Sequence, residues 1–289
     1  MAFKGTKINP EKFDKSQLKF YVVLVPFAAF MAIPLIFIFS NAFKPYNELF
    51  AFPPRIFVRH PTLQNFKALF SAMTQSGIPV SRYLFNSVII AVSVVVLSIF
   101  LSTAAGYVLS KKNFKYKKLL FEINTLALMF VPTAVSIPRY IIVAKLGLID
   151  NFLAHILPML AMPVGLFLVK QFIDQIPDSL IEAAKIDGAN DWFIYLKIIL
   201  PLTKPAVATV AILAFQGAWN SMEASLIYIN NESLKNFAYY MSTLSGNAGT
   251  VAGAGIAAAA AAVMFLPNLI IFIFTQSKVM NTMAHSGIK

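Results

Sequence analysis

The sequence has no cysteine. That excludes disulfide frameworks, thiolate metal sites and cysteine nucleophiles. Its three histidines, His60, His155 and His285, stand far apart and make no metal-ligand spacing. Charge is scarce, at 12% of 289 residues, where soluble domains carry about 25%. No G-x-x-x-x-G-K-[ST] occurs, so the loop that cradles nucleotide phosphates is missing. No internal repeat is evident. No connection between apolar segments exceeds about 40 residues, which is marginal for a separately folding domain.

Apolar residues are plentiful. They make up 58% of the chain and include 27 Phe. A helix needs about 20 of them to cross the hydrocarbon core of a bilayer. Six stretches qualify, at about 20–43, 84–110, 118–140, 151–171, 205–229 and 251–277. The expected fold class is an all-α integral membrane protein with six transmembrane helices. Residues 1–19 precede the six-span region 20–277, and 278–289 follow it as a tail. Proline falls within the first, third, fourth and sixth stretches. Membrane helices tolerate this where neighbours satisfy the freed carbonyls. The first 19 residues are polar and lysine-rich, and the apolar run after them is too long for a signal-peptide core. The first span is expected to stay in the membrane.

Net charge is +12, but the lysines flank the apolar stretches rather than forming a nucleic-acid surface. With six spans, both termini share one side. Sixteen of the 24 basic residues fall on that side, including Lys111, Lys112, Lys115, Lys117 and Lys118 between the second and third stretches. The positive-inside rule makes this face cytoplasmic. The expected location is the plasma membrane of a bacterial cell, with multiple passes and both termini inside.

One charged segment interrupts this pattern. IPDSLIEAAKIDGANDWFIYLKIILPLTKP runs from Ile176 to Pro205 on the cytoplasmic side. Ser179 and Glu182 have the spacing of a capping box. Gly188 breaks the first helix, Asn190 or Asp191 caps a second, and Pro201 stops it. Trp192, Tyr195, Leu196 and Ile199 fall at helical spacing. The segment reads as a helical elbow over about 178–200, lying on the membrane surface. It is either a capped, solvated connector or a rigid knob that docks in a partner.

Ionisable residues inside spans mark function by default. Glu122 sits close to Lys117 and Lys118 and is expected to pair locally. Glu223 lies in WNSMEASLIYI near the outer end of the fifth stretch. Asn220 and Glu223 are expected to line a solute pathway, with Trp219 as an aromatic face for a sugar. The alternative for Glu223 is a side chain that snorkels to the outer headgroups. Gly249 and Gly253 form a G-x-x-x-G ahead of six alanines, a helix-packing signal.

The elbow resembles the EAA loop of ABC-importer permeases. That pattern is E-A-A, three residues, G, nine residues, then I-x-L-P. Here it reads Glu182-Ala183-Ala184, Gly188, and Ile198-Ile199-Leu200-Pro201. Asp187-Gly188-Ala189 is similar to the carbohydrate-uptake, maltose-transporter-like branch. Asn86-Ser87, Trp219-Asn220 and the tail Ser286-Gly287-Ile288-Lys289 resemble it too. Met222, Glu223, Ala224 and Ser225 depart from its usual apolar residues and proline.

The resemblance implies a permease subunit that moves a sugar or oligosaccharide by alternating access. The elbow would be the coupling helix, with Glu182 contacting an ATPase, Ala183 and Ala184 allowing close approach, Asp187 and Gly188 making the turn, and Leu200 and Pro201 closing the motif. Implied partners are a second, different permease, two ATPase subunits that bind ATP and magnesium, and an extracytoplasmic substrate-binding protein that the loop NNESLKNFAYYMSTLSGNAGTVAG would meet. No cofactor is implied in this chain, and ATP hydrolysis would belong to the partner. The alternatives are an ABC permease for a polyol or glycerol phosphate, and an ion-coupled secondary transporter. The latter would want ionisable residues at mid-membrane. A membrane enzyme would want a His, Asp or Glu cluster at one interface, which is missing.

Overall fold

The structure is a computed structural model that describes residues 17–74, 76–244 and 251–286. Every regular element among these residues is helical. The chain divides into two compact units, Met1–Leu69 with Leu244–Ala262, and Phe70–Thr243 with Val263–Lys289.

The first unit is built on α1, Leu18–Phe43, which continues through Pro26 and Pro34. Val22, Phe27 and Phe30 point outward from it, as a lipid-facing helix requires. Its last carbonyls lack intrahelical partners. Asn65, fully buried on α2, Gln64–Ser71, supplies them. Its Nδ2 donates to the carbonyls of Asn41, Ala42 and Lys44 at 3.3, 3.0 and 2.8 Å. Within the same unit, a Cβ added to Gly255 would collide with the Asn65 amide. Glycine there allows close backbone approach. Gly249, half of the expected G-x-x-x-G, lies outside the described residues.

The second unit is organised around α3, Val80–Lys111. At 32 residues it is about 48 Å long, more than the roughly 30 Å hydrocarbon core. It begins four residues before the expected stretch, because Pro79 ends the extended segment ahead of it. It packs against α6, Pro163–Asp174, and α9, Lys204–Asn220. Two glycines set the α3–α6 approach. A Cβ on Gly106 would lie 3.0 Å from Val169 Cγ1, and one on Gly165 would lie 2.9 Å from Ser102 Oγ. Small residues serve this purpose in membranes, where lipid tails leave little hydrophobic drive between helices.

Three helical segments are long and apolar enough to cross a membrane alone: Leu18–Phe43, Val80–Lys111 and Gly253–Thr275. The last belongs to α12, Val251–Ser286. Three more are pairs of bent pieces. In these three the apolar stretch is interrupted. The third breaks between α4, Lys117–Ala127, and the turn at Pro132, with a bend of 111°. It resumes as α5, Ser136–Lys145. The fourth begins as 3₁₀ turns at Phe152–His155 and Leu157–Leu160, then bends by 42° into α6. The fifth stops at Asn220, turns extended at Ser221 and resumes as α10, Glu223–Ile227. Pro132 and Pro163 each open a helical piece. There the missing N–H is harmless and the fixed φ suits the start. Hydropathy counts apolar length and is blind to these restarts.

Candidate functional site

The charged elbow consists of α7, Asp178–Ile186, and α8, Asp191–Ile194. α8 continues through a wide π turn, Tyr195–Ile199, into Leu200–Leu202. The helix runs one residue past Pro201, to Leu202, and the chain breaks at Thr203 with a bend of 81°.

α7 ends in a Schellman turn. Gly188 has φ +81°. Its N–H donates to Lys185 O at 3.0 Å, and Ala189 N–H donates to Ala184 O at 2.9 Å. These bonds satisfy the orphan carbonyls, and the left-handed residue between them favours glycine. Ala184 and Ala189 bring the matching apolar contact, both packed on the same buried cluster. Nothing lies within 4 Å of a Cβ built on Gly188, so glycine is required by the backbone and not by crowding. The expected capping box does not form. α7 starts at Asp178, and no side chain caps it. Asn190 does cap α8, its Oδ1 accepting from Phe193 N–H at 2.8 Å.

Both arms are fastened to the end of α3. Lys111 Nζ donates to Asp178 Oδ1 at 2.7 Å and to the Ile176 carbonyl at 2.6 Å. Lys112 pairs with Asp191. Tyr195 Oη and Thr103 Oγ1 share a buried hydrogen bond of 2.7 Å. Beneath the elbow, Ile173, Ile181, Ile194 and Ile199 are buried with Tyr107 and Tyr195. Lys111 holds the Asp178 carboxyl below the usual carboxylate range, chiefly by its hydrogen bond. What remains outside is the face bearing Glu182, Ala183, Asp187 and Gly188, with Ile186 87% exposed. An isolated apolar side chain on a rigid turn is a natural anchor for a pocket elsewhere. Next to it lies a depression of about 550 Å³, lined by Ala184, Gly188, Asn190, Phe193 and Ile198 among others. Leu200 is half-buried and Pro201 exposed behind this face.

The second candidate lies where the third and fifth stretches break. Arg139 Nη1 reaches both carboxylate oxygens of Glu223 at 3.3 Å. Glu223 is thus half of an ion pair and not a lone snorkelling side chain. Asn220 exchanges hydrogen bonds with Asn268 at 3.1 and 3.4 Å. Trp219 corrects the expectation of an open aromatic face. It is 3% exposed, stacked on Phe215 at 5.6 Å, and its indole N–H donates to Met264 O at 3.0 Å. Glu122 pairs with Lys118 at 3.8 Å, as its surroundings suggested.

Sequence reasoning passed over Arg139, although it falls in the last turn of the third apolar stretch, where any charge is a functional candidate. It also left Asn86 and Ser87 without roles. Asn86 Nδ2 donates to the carbonyls of Ser233 and Lys235 at 2.9 and 2.8 Å. Ser87 Oγ accepts from Phe237 N–H at 2.8 Å. The start of α3 thereby pins residues 233–237. Among the described residues no cluster of three or more His, Asp or Glu is arranged to hold a metal.

Comparison with known proteins identifies the family. The model of the family described as binding-protein-dependent transport system inner membrane component matches residues 20–277. Protein LplC of Bacillus subtilis strain 168 is 30% identical over 273 residues, 90% of each chain. The arabinooligosaccharides transport system permease protein AraQ of Halalkalibacterium halodurans is 30% identical over 270 residues, 91% of this chain and 93% of the relative. Among solved structures, a chain of a bacterial ABC transporter involved in import of the acidic polysaccharide alginate superposes with a TM-score of 0.76. It is 20% identical, over 93% of this chain and 99% of that one. The chain therefore belongs to the binding-protein-dependent transport system inner membrane component family, the multi-pass permease subunits of ABC importers.

Proposed function

We propose that this permease carries a sugar or oligosaccharide inward, and that the elbow over 178–200 is its coupling helix. The observation that carries the second part is how the elbow is fastened. A Schellman turn at Gly188 presents Glu182, Ala183, Asp187 and Ile186, while Lys111 and Lys112 tie both arms to α3. A partner that moves this knob moves α3 with it. Curated relatives support the sugar. They include AraQ for arabinooligosaccharides and SmoH of Agrobacterium fabrum for sulfoquinovosyl glycerol, the latter 30% identical over 258 residues.

In this reading six spans occupy 20–277, each bent pair being one crossing, with residues 1–19 and 278–289 in the cytoplasm. Two ATPase subunits bind ATP and magnesium and receive the elbow, with Glu182, Ala183, Ala184, Asp187 and Gly188 at the contact and Leu200 and Pro201 fixing its exit. A second, different permease completes the pathway. A solute-loaded binding protein docks outside; a solved relative is described as an alginate transporter in complex with an alginate-bound periplasmic protein. Closing of the ATPases swings the bundle between inward-facing and outward-facing states. Asn220 and Glu223 border the pathway, and Trp219 supports that border from within the packing. The test is a gentle detergent pull-down of the tagged chain with mass spectrometry. An ATPase, a second permease and a saccharide-binding protein are the expected companions. A chain that purifies alone and moves solute down an ion gradient overturns the reading.

A further inference from the structure

Arg139 and Glu223 come from different broken spans, 84 positions apart. The two halves of the pair are unequal in what they leave over. Both bonds to Glu223 leave from one nitrogen, Nη1, at 3.3 Å. This is longer than the 2.7–2.9 Å of a good charged hydrogen bond. A guanidinium carries five N–H donors in a planar fork. Nε and Nη2 of Arg139 take no part in the bonds to Glu223. Beside the pair stands Tyr228, 3% exposed. Its hydroxyl is buried without a hydrogen-bond partner. Its ring stacks on Tyr140 at 6.2 Å and packs with Val143, Ala154 and Ala224. Arg139 and Glu223 keep 30% and 39% of their side-chain surface open.

The group has donors to spare and a weakly held acceptor. A ligand that fits it brings acceptors in a plane that matches the fork. We propose that Arg139 is a solute-contacting residue selecting saccharides that carry a carboxylate, and that Glu223 is the resident stand-in for that carboxylate. The incoming acid takes the open edge of the fork, Nε and Nη2, in the bidentate geometry Arg favours. Glu223 keeps the guanidinium oriented between transport cycles and leaves it as the solute enters. The inference rests on the reading of this permease as a sugar importer. It narrows that reading to acidic oligosaccharides.

The experiment is uptake by cells that depend on this importer. They are given a mixture of oligouronides and the same oligomers with the carboxyls reduced to alcohols. Internal saccharides are read by mass spectrometry. The wild-type chain is compared with Arg139→Gln, Arg139→Lys and Glu223→Gln at equal membrane levels. The expected result is oligouronide entry that falls at least tenfold in R139Q, recovers in part in R139K, and is raised in E223Q. Three results overturn the proposal. One is oligouronide entry unchanged in R139Q. Another is equal loss in R139Q and E223Q, the mark of a merely structural pair. The third is entry of the reduced oligomers alone, which leaves the sugar reading standing. Entry of neither saccharide also overturns the proposal, and the sugar reading is then decided by the companions found in the pull-down.

Discussion

Lys111, at the last turn of α3, donates to Asp178 at 2.7 Å while itself only 7% exposed. It reaches the first turn of α7 and the Ile176 carbonyl together. One ammonium thus stitches the 32-residue helix α3 to the elbow. Exposed ion pairs are weak, so the Ile176 bond is the stronger part of the stitch.

Removing each end should therefore differ. Lys111→Ala leaves the Ile176 carbonyl without its donor, at a cost on the order of 1–3 kcal/mol. Asp178→Asn leaves that bond in place. Stimulation of ATP hydrolysis by loaded binding protein should drop several-fold in K111A and little in D178N. Equal effects would show that the charge pair, not the carbonyl bond, fastens the elbow.

The pH dependence has a definite sign. Asp178 sits below its ordinary value because of Lys111. A carboxyl lowered on folding contributes stability above its unfolded pKa and loses it as pH falls through the lowered value. Unfolded Asp titrates near 3.9. Coupling measured in the reconstituted complex should stay level from about pH 7 to about pH 5 as far as Asp178 is concerned. In D178N that profile should be unchanged in shape. A loss in the wild type alone at about pH 5 contradicts the assignment.

Gly188 gives a graded series. Its φ of +81° is the constraint, and no neighbour crowds it. Asn tolerates this region better than Ala, and a β-branched residue is worst. Uptake should fall in the order Gly, Asn, Ala, Val, with membrane levels equal. Gly188→Asp, which adds a charge at the exposed turn, should block transport while the chain still inserts. Normal uptake by G188V refutes the requirement for a left-handed turn.

Asn86→Ala removes two donors from the Ser233 and Lys235 carbonyls. Amide exchange across 230–237 should quicken at least tenfold, the equivalent of about 1.4 kcal/mol, while exchange in α7 stays unchanged. Unaltered exchange in that loop would mean that Asn86 does not hold it.

Much of this was legible in the chain, and the gaps have physical causes. The elbow announced itself because Gly188 follows a helix-forming run and precedes Asn190, and local backbone rules decide both. The capping box misled because Ser179-x-x-Glu182 has the right spacing, yet the helix starts two residues earlier, with Pro177 at its N-cap. The bends at Pro132 and Pro163 were hidden, since proline in a membrane helix can be passed over, as α1 passes Pro26 and Pro34. The Arg139–Glu223 pair was out of reach because it joins residues 84 apart. Trp219 looked like a sugar platform only until packing on Phe215 took its face.

The central claim, that the elbow docks on a separate ATPase, can be tested through an absence. The chain has no cysteine, so Ala183→Cys, at an exposed site on α7, makes a single thiol. Membranes carrying this chain are treated with a short bifunctional thiol–amine cross-linker, and the adducts are identified by mass spectrometry. The account predicts one dominant adduct with an ATPase subunit, lost when the same thiol is placed instead at Val22 on the lipid-facing α1. A183C that labels freely with a soluble maleimide in the assembled importer, yet cross-links to no ATPase, contradicts it.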